Sequence, residues 1–228
     1  MIEYLDSLDQ QLFLQLNGLH VSYFDVFMYS LSSRLSWILI LLAFLFTLRN
    51  KGWRQAAVAL LAVALTVLIA DQLSSGLIKH AVERLRPSHN PALASAIHVV
   101  GNGGGQYGFV SSHAANSFGV ALIVGLIMRS RPALVSLVIW AILQCYSRIY
   151  IGVHYPGDIL GGVVVGLLSG WLGFVLWNWA QRRYLNGDHQ LFSQSDGRLV
   201  TWAVIVSIVA VAASPLFLEL IGINQIIN

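Results

Sequence analysis

The sequence predicts an all-α fold: a polytopic membrane helical bundle of about six transmembrane helices, preceded by an N-terminal amphipathic interfacial helix. Three observations predict it. Hydrophobic residues make up 57% of the 228-residue chain and charged residues only 10%, where an average soluble domain carries roughly 25% charged. Apolar stretches near the spanning length recur along the chain. Lys and Arg gather in alternate connections between them. So few charges cannot cover a water-facing surface. That excludes an ordinary soluble enzyme, a disordered chain and a nucleic-acid binder with a basic face. The chain reads as one membrane-embedded domain over residues 1–228, without internal repeats.

The elements follow in order. Leu5, Leu8, Leu12, Leu16 and Leu19 recur at helical spacing, with Asp6, Asp9, Gln10 and Gln15 between them. That is an amphipathic helix, too polar to span, lying in the interface or against the bundle. The acidic start, with Glu3 and Asp6, does not read as a signal peptide. A span needs about 20 mostly apolar residues. Candidate spans lie at 31–48, 56–78, 114–128, 132–151, 159–180 and 199–220. Arg34 must snorkel from the first. Asp71 lies within the second and must face protein or water, where it can bond to neighbouring helices or support Lys79 two turns on. Tryptophans 37, 53, 140, 171, 177, 179 and 202 fall mostly near helix ends, as interface anchors do. The single cysteine, Cys145, reads as a small buried hydrophobe.

Basic residues set the orientation. Arg49, Lys51, Arg54, Arg129, Arg131, Arg182, Arg183 and Arg198 fall on one side of this map, and Arg34, Lys79, Arg84, Arg86 and Arg148 on the other. The positive-inside rule makes the larger set cytoplasmic. Segments 79–113 and 148–158 then lie outside, as do both termini. Those two segments hold nearly all the reactive side chains.

Three clusters stand there. Lys79 and Arg86, seven residues apart beside Pro87, can converge on one anion or simply anchor a helix end. Ser111, Ser112 and His113 open the third span, where free backbone N–H groups and the helix dipole attract phosphate. Ser147 and Arg148 precede His154 and Asp158. A carboxylate four residues after a histidine can fix its tautomer and leave the other ring nitrogen free, and an arginine fork suits phosphate oxygens. Together they suit binding and transferring a phosphoryl group: cations neutralise the equatorial oxygens, one histidine attacks phosphorus, another protonates the departing alkoxide. The same pair predicts a bell-shaped pH profile. The glycine-rich run 101–105 lacks the Lys-Ser/Thr of a phosphate-cradling loop and reads as a connector or lid. Glu83 and Arg84 read as residues that tune or gate access, and Asn116, one turn after His113, as its orienter or an interhelical contact. His80, His89 and His98 are evenly spaced, but not as metal ligands are.

These residues resemble the type 2 phosphatidic acid phosphatase and vanadium haloperoxidase superfamily, whose signature is Lys-x6-Arg-Pro, Pro-Ser-Gly-His and Ser-Arg-x5-His-x3-Asp. Lys79, Arg86 and Pro87 complete the first part; Ser147, Arg148, His154 and Asp158 complete the third. In the second, Ser111 and His113 match, while Val110 replaces proline and Ser112 replaces glycine. The signature zone, 79–158, covers about a third of the chain. The resemblance implies a metal-free phosphatase without cofactor. His154 would be the nucleophile, forming a phosphohistidine that water hydrolyses, and Asp158 would support it. His113 would protonate the leaving group. Lys79, Arg86, Arg148, Ser111 and the backbone N–H of Ser112 would hold the phosphate. The two replacements alter backbone approach and turn rigidity but leave the reactive groups in place.

The implied substrate is the phosphate of a lipid whose tail stays in the bilayer: undecaprenyl diphosphate, lipid A phosphate, phosphatidylglycerol phosphate or phosphatidic acid. The first two lead because both present phosphate on the outer side. The implied location is a bacterial inner membrane with the site facing the periplasm. No nucleic-acid partner is expected. The rival from another class is a lipid transporter or flippase that binds headgroups without cleaving them, but such proteins place polar groups near the midplane, often between inverted repeats. A vanadate-dependent oxidase would not need six spans.

Overall fold

A computed structural model describes residues 2–185 and 191–220. The described residues form helices and connecting segments, with one isolated bridge between Leu85 and Tyr107. Helix α1 (Ile2–Asn17) is amphipathic in an inverted sense. Its leucines Leu5, Leu8 and Leu12 face away from the protein, while Phe13 and Asn17 are buried against it. An outward apolar face is what an interfacial helix presents to lipid. Asn17 pins the helix end: its Nδ2 donates to the carbonyls of His98 and Tyr150, both at 2.8 Å.

The first span departs from expectation. It is a bent pair rather than one helix over 31–48: α2 (Ser22–Leu31) meets, at 63°, a second arm Arg34–Leu48 made of a short 3-10 turn, Arg34–Trp37, and α3 (Ile38–Leu48). Ser32 and Ser33 sit at the break, where serine hydroxyls compete with the helical ladder. A buried side chain repairs the freed backbone. Gln144 Nε2 donates to the Leu31 carbonyl at 2.7 Å and to Ser36 Oγ at 3.0 Å, as irregular backbone at membrane depth requires.

Helix α4 (Trp53–Asp71) continues through a π-helical segment, Gln72–Ile78, into α5 (Lys79–Val82). The remaining helices are α6 (Ser112–Met128), α7 (Arg131–Tyr150), α8 (Pro156–Tyr184) and α9 (Gln194–Leu220). Among the described residues, four helical runs are long and apolar enough to cross a membrane, and the bent pair makes five. The third expected span, 114–128, is α6, which at 17 residues is about a turn short of the usual length. It packs against α4, α7 and α8 and is largely buried, so it has little lipid to match.

Closeness of α6 and α8 comes from a glycine stripe that the sequence reading passed over. A Cβ at Gly162 or Gly166 would overlap the backbone oxygens of Ser111 or Ala115, and one at Gly170 would lie 2.8 Å from the Gly119 oxygen. Small residues let membrane helices approach to backbone contact. On the outside, Leu61, Leu68, Leu160, Leu168 and Val209 are exposed, a surface stable only against lipid. Two tryptophans are not anchors: Trp140 and Trp177 are fully buried, Trp140 edge-on to Trp37 at 5.8 Å. Cys145 is buried as expected.

The helices alternate in direction, so the α3–α4 and α6–α7 connections meet the start of α9 at one end. Lys51 Nζ pairs with Asp196 there at 3.0 Å, and Ser130 abuts Gly197. The larger basic set therefore shares one end of the bundle. The end of α5, the starts of α6 and α8 and the end of α7 share the other.

Candidate active site

The site is assembled where four helix ends converge. The chain leaves α5 through Glu83 in a left-handed conformation and runs extended along residues 106–108, with Arg86 N donating to the Gln106 carbonyl at 3.0 Å and Gly108 N to the Arg84 carbonyl at 2.8 Å. Extended backbone sends alternate side chains to one face, so Arg84 and Arg86 share the face toward α8; Arg84 Nη1 reaches Asp158 Oδ1 at 3.0 Å, while Arg86 turns to the Tyr107 carbonyl. Gly108 lets this segment pass: a Cβ there would stand 2.7 Å from Asp158 Oδ2.

After α7 the chain turns through Gly152, at φ +80°, where a side chain would meet the His98 carbonyl. The turn presents His154, which is 1% exposed. Asp158 occupies the third position of α8 and caps it: Oδ2 accepts from Tyr155 N at 3.0 Å and lies 3.2 Å from His154 Nδ1. A helix start thus delivers the carboxylate to the imidazole. Burial, with the positive charge of Arg86, Arg148 and Lys79, holds His154 well below its ordinary pKa. A neutral ring that carries its proton toward Asp158 leaves the lone pair on the other nitrogen.

Two guanidinium groups face this ring with donors to spare. Arg86 donates from Nε to the Tyr107 carbonyl at 3.1 Å, while its Nη1 is buried without a partner. Burial also depresses Arg86. Arg148 bonds to Ser32 at the break in the first span, while its Nε is buried and unpartnered. Buried arginine donors without acceptors are rare, and an oxyanion supplies the acceptors they lack. Lys79 Nζ lies 3.5 Å from Ser112 Oγ.

Ser112 and His113 line a cavity of about 380 Å³ with Ser32, Arg34, Asp71 and Asn116; a smaller one of about 210 Å³ lies beyond Arg148, walled by Gly103 and Gly104. The candidate residues Lys79, Arg86, Ser112, His113, Arg148, His154 and Asp158 therefore gather at one end of the bundle. Ser111 differs. It is fully buried, and its Oγ caps α6 by accepting from Ala114 N at 3.4 Å. Ser147 is turned to the Gln144 carbonyl at 2.7 Å.

Several secondary readings change. Asp71 acts on Lys79 through its charge and not as a contact ion pair: the π-helical segment between them alters the register that would stack them on one face. Asn116 lines the His113 cavity, but its Oδ1 is buried without a partner, so it does not orient that ring. The glycine-rich run is a wall rather than a connector, because Gly104, at φ +72°, lies against the Arg86 guanidinium. His98 pairs with Asp25 at 2.8 Å and stacks on His20; among the described residues no three His, Cys, Asp or Glu side chains cluster as a metal site. Arg84 does not gate. It is held among Asp6, Asp9 and Asp158. The Arg-Leu-Arg alternation was its sequence signal; its carboxylate partners lay too far away in the chain to be paired with it.

The PAP2 superfamily profile matches residues 55–184. The lipid A 4'-phosphatase of Bacteroides thetaiotaomicron is 39% identical over 180 residues, 77% of this chain and 80% of that protein. That of Porphyromonas gingivalis is 39% identical over 191 residues, 82% and 80% of the two chains. The crystal structure of a transmembrane PAP2-type phosphatidylglycerolphosphate phosphatase from Bacillus subtilis shares the fold, with a TM-score of 0.57 and 21% identity over 80% of this chain and 89% of that one.

Proposed function

This chain belongs to the PAP2 superfamily, and from that membership we propose a phosphohistidine mechanism at His154 and a lipid A phosphate as substrate. The protein is an integral membrane lipid phosphatase, a phosphoric ester hydrolase. The observation that carries the mechanism is the buried His154–Asp158 pair, 3.2 Å apart, beside guanidinium N–H groups without acceptors. The free His154 nitrogen attacks phosphorus while Asp158 accepts the hydrogen bond of the other, steadying the imidazolium that develops. Arg86, Arg148 and Lys79 take up the charge of the phosphoryl oxygens. His113, on the wall of the larger cavity, gives its proton to the departing alkoxide, then takes one from the water that cleaves the phosphohistidine. The backbone N–H of Ser112 and the helix start that Ser111 caps add donors.

Two relatives matched over four-fifths of their length carry lipid A 4'-phosphatase as their name, which favours lipid A over the other lipids. The larger basic set sits at the opposite end of the bundle, which by the positive-inside rule supports our reading of a site on the periplasmic face of a bacterial inner membrane. Nothing favours the transporter: the reactive groups occupy one end of the bundle, not its middle.

The test is phosphate release by the purified protein in detergent with EDTA present, with lipid A, undecaprenyl diphosphate, phosphatidylglycerol phosphate and phosphatidic acid side by side. Fastest release from lipid A, lost in His154→Ala, is expected. Full activity in His154→Ala overturns the mechanism; preference for another lipid overturns the substrate.

A further inference from the structure

Asp158 does not stand on its helix alone. Its Oδ1 accepts from Arg84 Nη1 at 3.0 Å. The same nitrogen meets Asp9 Oδ2 at 2.8 Å, and Arg84 Nη2 meets Asp6 Oδ1 at 2.7 Å. Both aspartates belong to α1. Asp9 also reaches α8 directly: its Oδ1 accepts from Gly157 N at 2.7 Å, and a side chain at Gly157 would stand 2.6 Å from Asp9 Oδ2. Tyr155 completes the seat, its ring 4.1 Å beneath the guanidinium and edge-on to Phe13 of α1 at 5.3 Å. Asn90 Nδ2 holds the Tyr155 hydroxyl at 3.1 Å.

Both terminal nitrogens of the Arg84 fork are engaged by carboxylates, Nη1 by Asp158 and Asp9 and Nη2 by Asp6. Burial opposes its charge, but Asp158, Asp9 and Asp6 outweigh that and keep Arg84 above its ordinary pKa. Three carboxylates around one guanidinium leave a net negative cluster that balances the cations across the ring. Asp158 is fully buried. Without Arg84 its Oδ1 would be an unpaired charged oxygen in the interior, a costly state. The carboxylate would rotate or take a proton, and either weakens its hold on His154 Nδ1.

We propose that Arg84 is a positioning residue of the hydrolase, clamped by Asp6 and Asp9 of the N-terminal helix, so that an element lying on the membrane surface sets the geometry of the Asp158–His154 pair. This rests on the reading of His154 as nucleophile. The two are separable, because Arg84 acts on His154 only through Asp158.

The test compares wild type, Arg84→Gln, Arg84→Lys, Arg84→Ala, Asp6→Asn/Asp9→Asn and His154→Ala in detergent. The readouts are kcat, KM, inhibition by vanadate as a phosphate mimic, and thermal unfolding. Arg84→Gln loses a charge-assisted bond to a buried carboxylate, so kcat falls about tenfold to a hundredfold, with KM and vanadate inhibition within about twofold. Arg84→Lys recovers part of the loss, and millimolar methylguanidinium restores turnover to Arg84→Ala. Asp6→Asn/Asp9→Asn keeps an oxygen for Gly157 N yet loses several-fold in kcat. If Arg84→Gln does not fold, that double variant and Arg84→Lys decide. Folded variants with unchanged kcat overturn the proposal. So does vanadate inhibition that weakens in step with kcat, since Arg84 would then be a phosphate ligand. A fully active His154→Ala overturns the mechanism instead; an inactive one beside a normal Arg84→Gln overturns this inference alone.

Discussion

Gly104→Ala tests the glycine-rich wall, and the structure gives the magnitude. Gly104 has φ +72°, and a Cβ there would overlap Arg86 Nη1 and stand 3.0 Å from its Cζ. Carbon atoms rest comfortably at about 3.5 to 4 Å, so the guanidinium must withdraw by something near ~1 Å. The left-handed backbone adds about 1 kcal/mol of strain for a residue with a Cβ. Arg86 is the side chain whose buried Nη1 has no partner. Moving it takes a charge-assisted donor from the phosphate, about 1.5–3 kcal/mol, or about tenfold to a hundredfold in kcat/KM. The assay is initial-rate phosphate release from the best lipid of the panel, with Gly105→Ala as control. A Cβ at Gly105 meets nothing within 4 Å and its φ is not positive, so that variant keeps the wild-type rate. A Gly104→Ala enzyme within about twofold of wild type would refute the argument that this wall sets Arg86.

Gly166→Ala pushes a methyl group into the Ala115 backbone, 3.1 Å from its Cα; overpacking of this kind costs about 1–3 kcal/mol and lowers the unfolding temperature in detergent. His154 is held well below its ordinary value of 6.5. The unfolded chain therefore takes up a proton that the folded one refuses, so stability is full above pH 6.5 and falls as pH drops below it; His154→Asn flattens that slope in thermal melts at pH 5 and pH 7.5. The same shift moves the acid limb of kcat/KM for the free enzyme below 6.5, so a limb centred there would not belong to His154. Chelation with EDTA leaves the rate unchanged and added magnesium does not raise it; loss with chelator and return with magnesium would overturn the metal-free reading.

Helices were legible wherever an apolar run was long. Residues 132–151 were read almost as α7 stands, Arg131–Tyr150, because a lipid-facing surface leaves the backbone no alternative to a helix. The bend in the first span was not legible. It depends on Gln144, more than a hundred residues away, supplying donors at the Ser32–Ser33 break. The glycines of α8 were visible, but their purpose required knowing that α6 lies opposite them.

Within the site the same division holds. Spacing in the chain was enough to pair His154 with Asp158, since four residues at a helix start bring them together. It was enough to group the cations on one face, because alternating helices must return each connection to the same side. What only the tertiary structure decided is how each group is spent: Ser111 on a cap, Arg84 on three carboxylates, Arg86 and Arg148 with donors left over. Local periodicity reports which way a side chain points. Which partner it finds depends on chain segments that meet only after the bundle has packed.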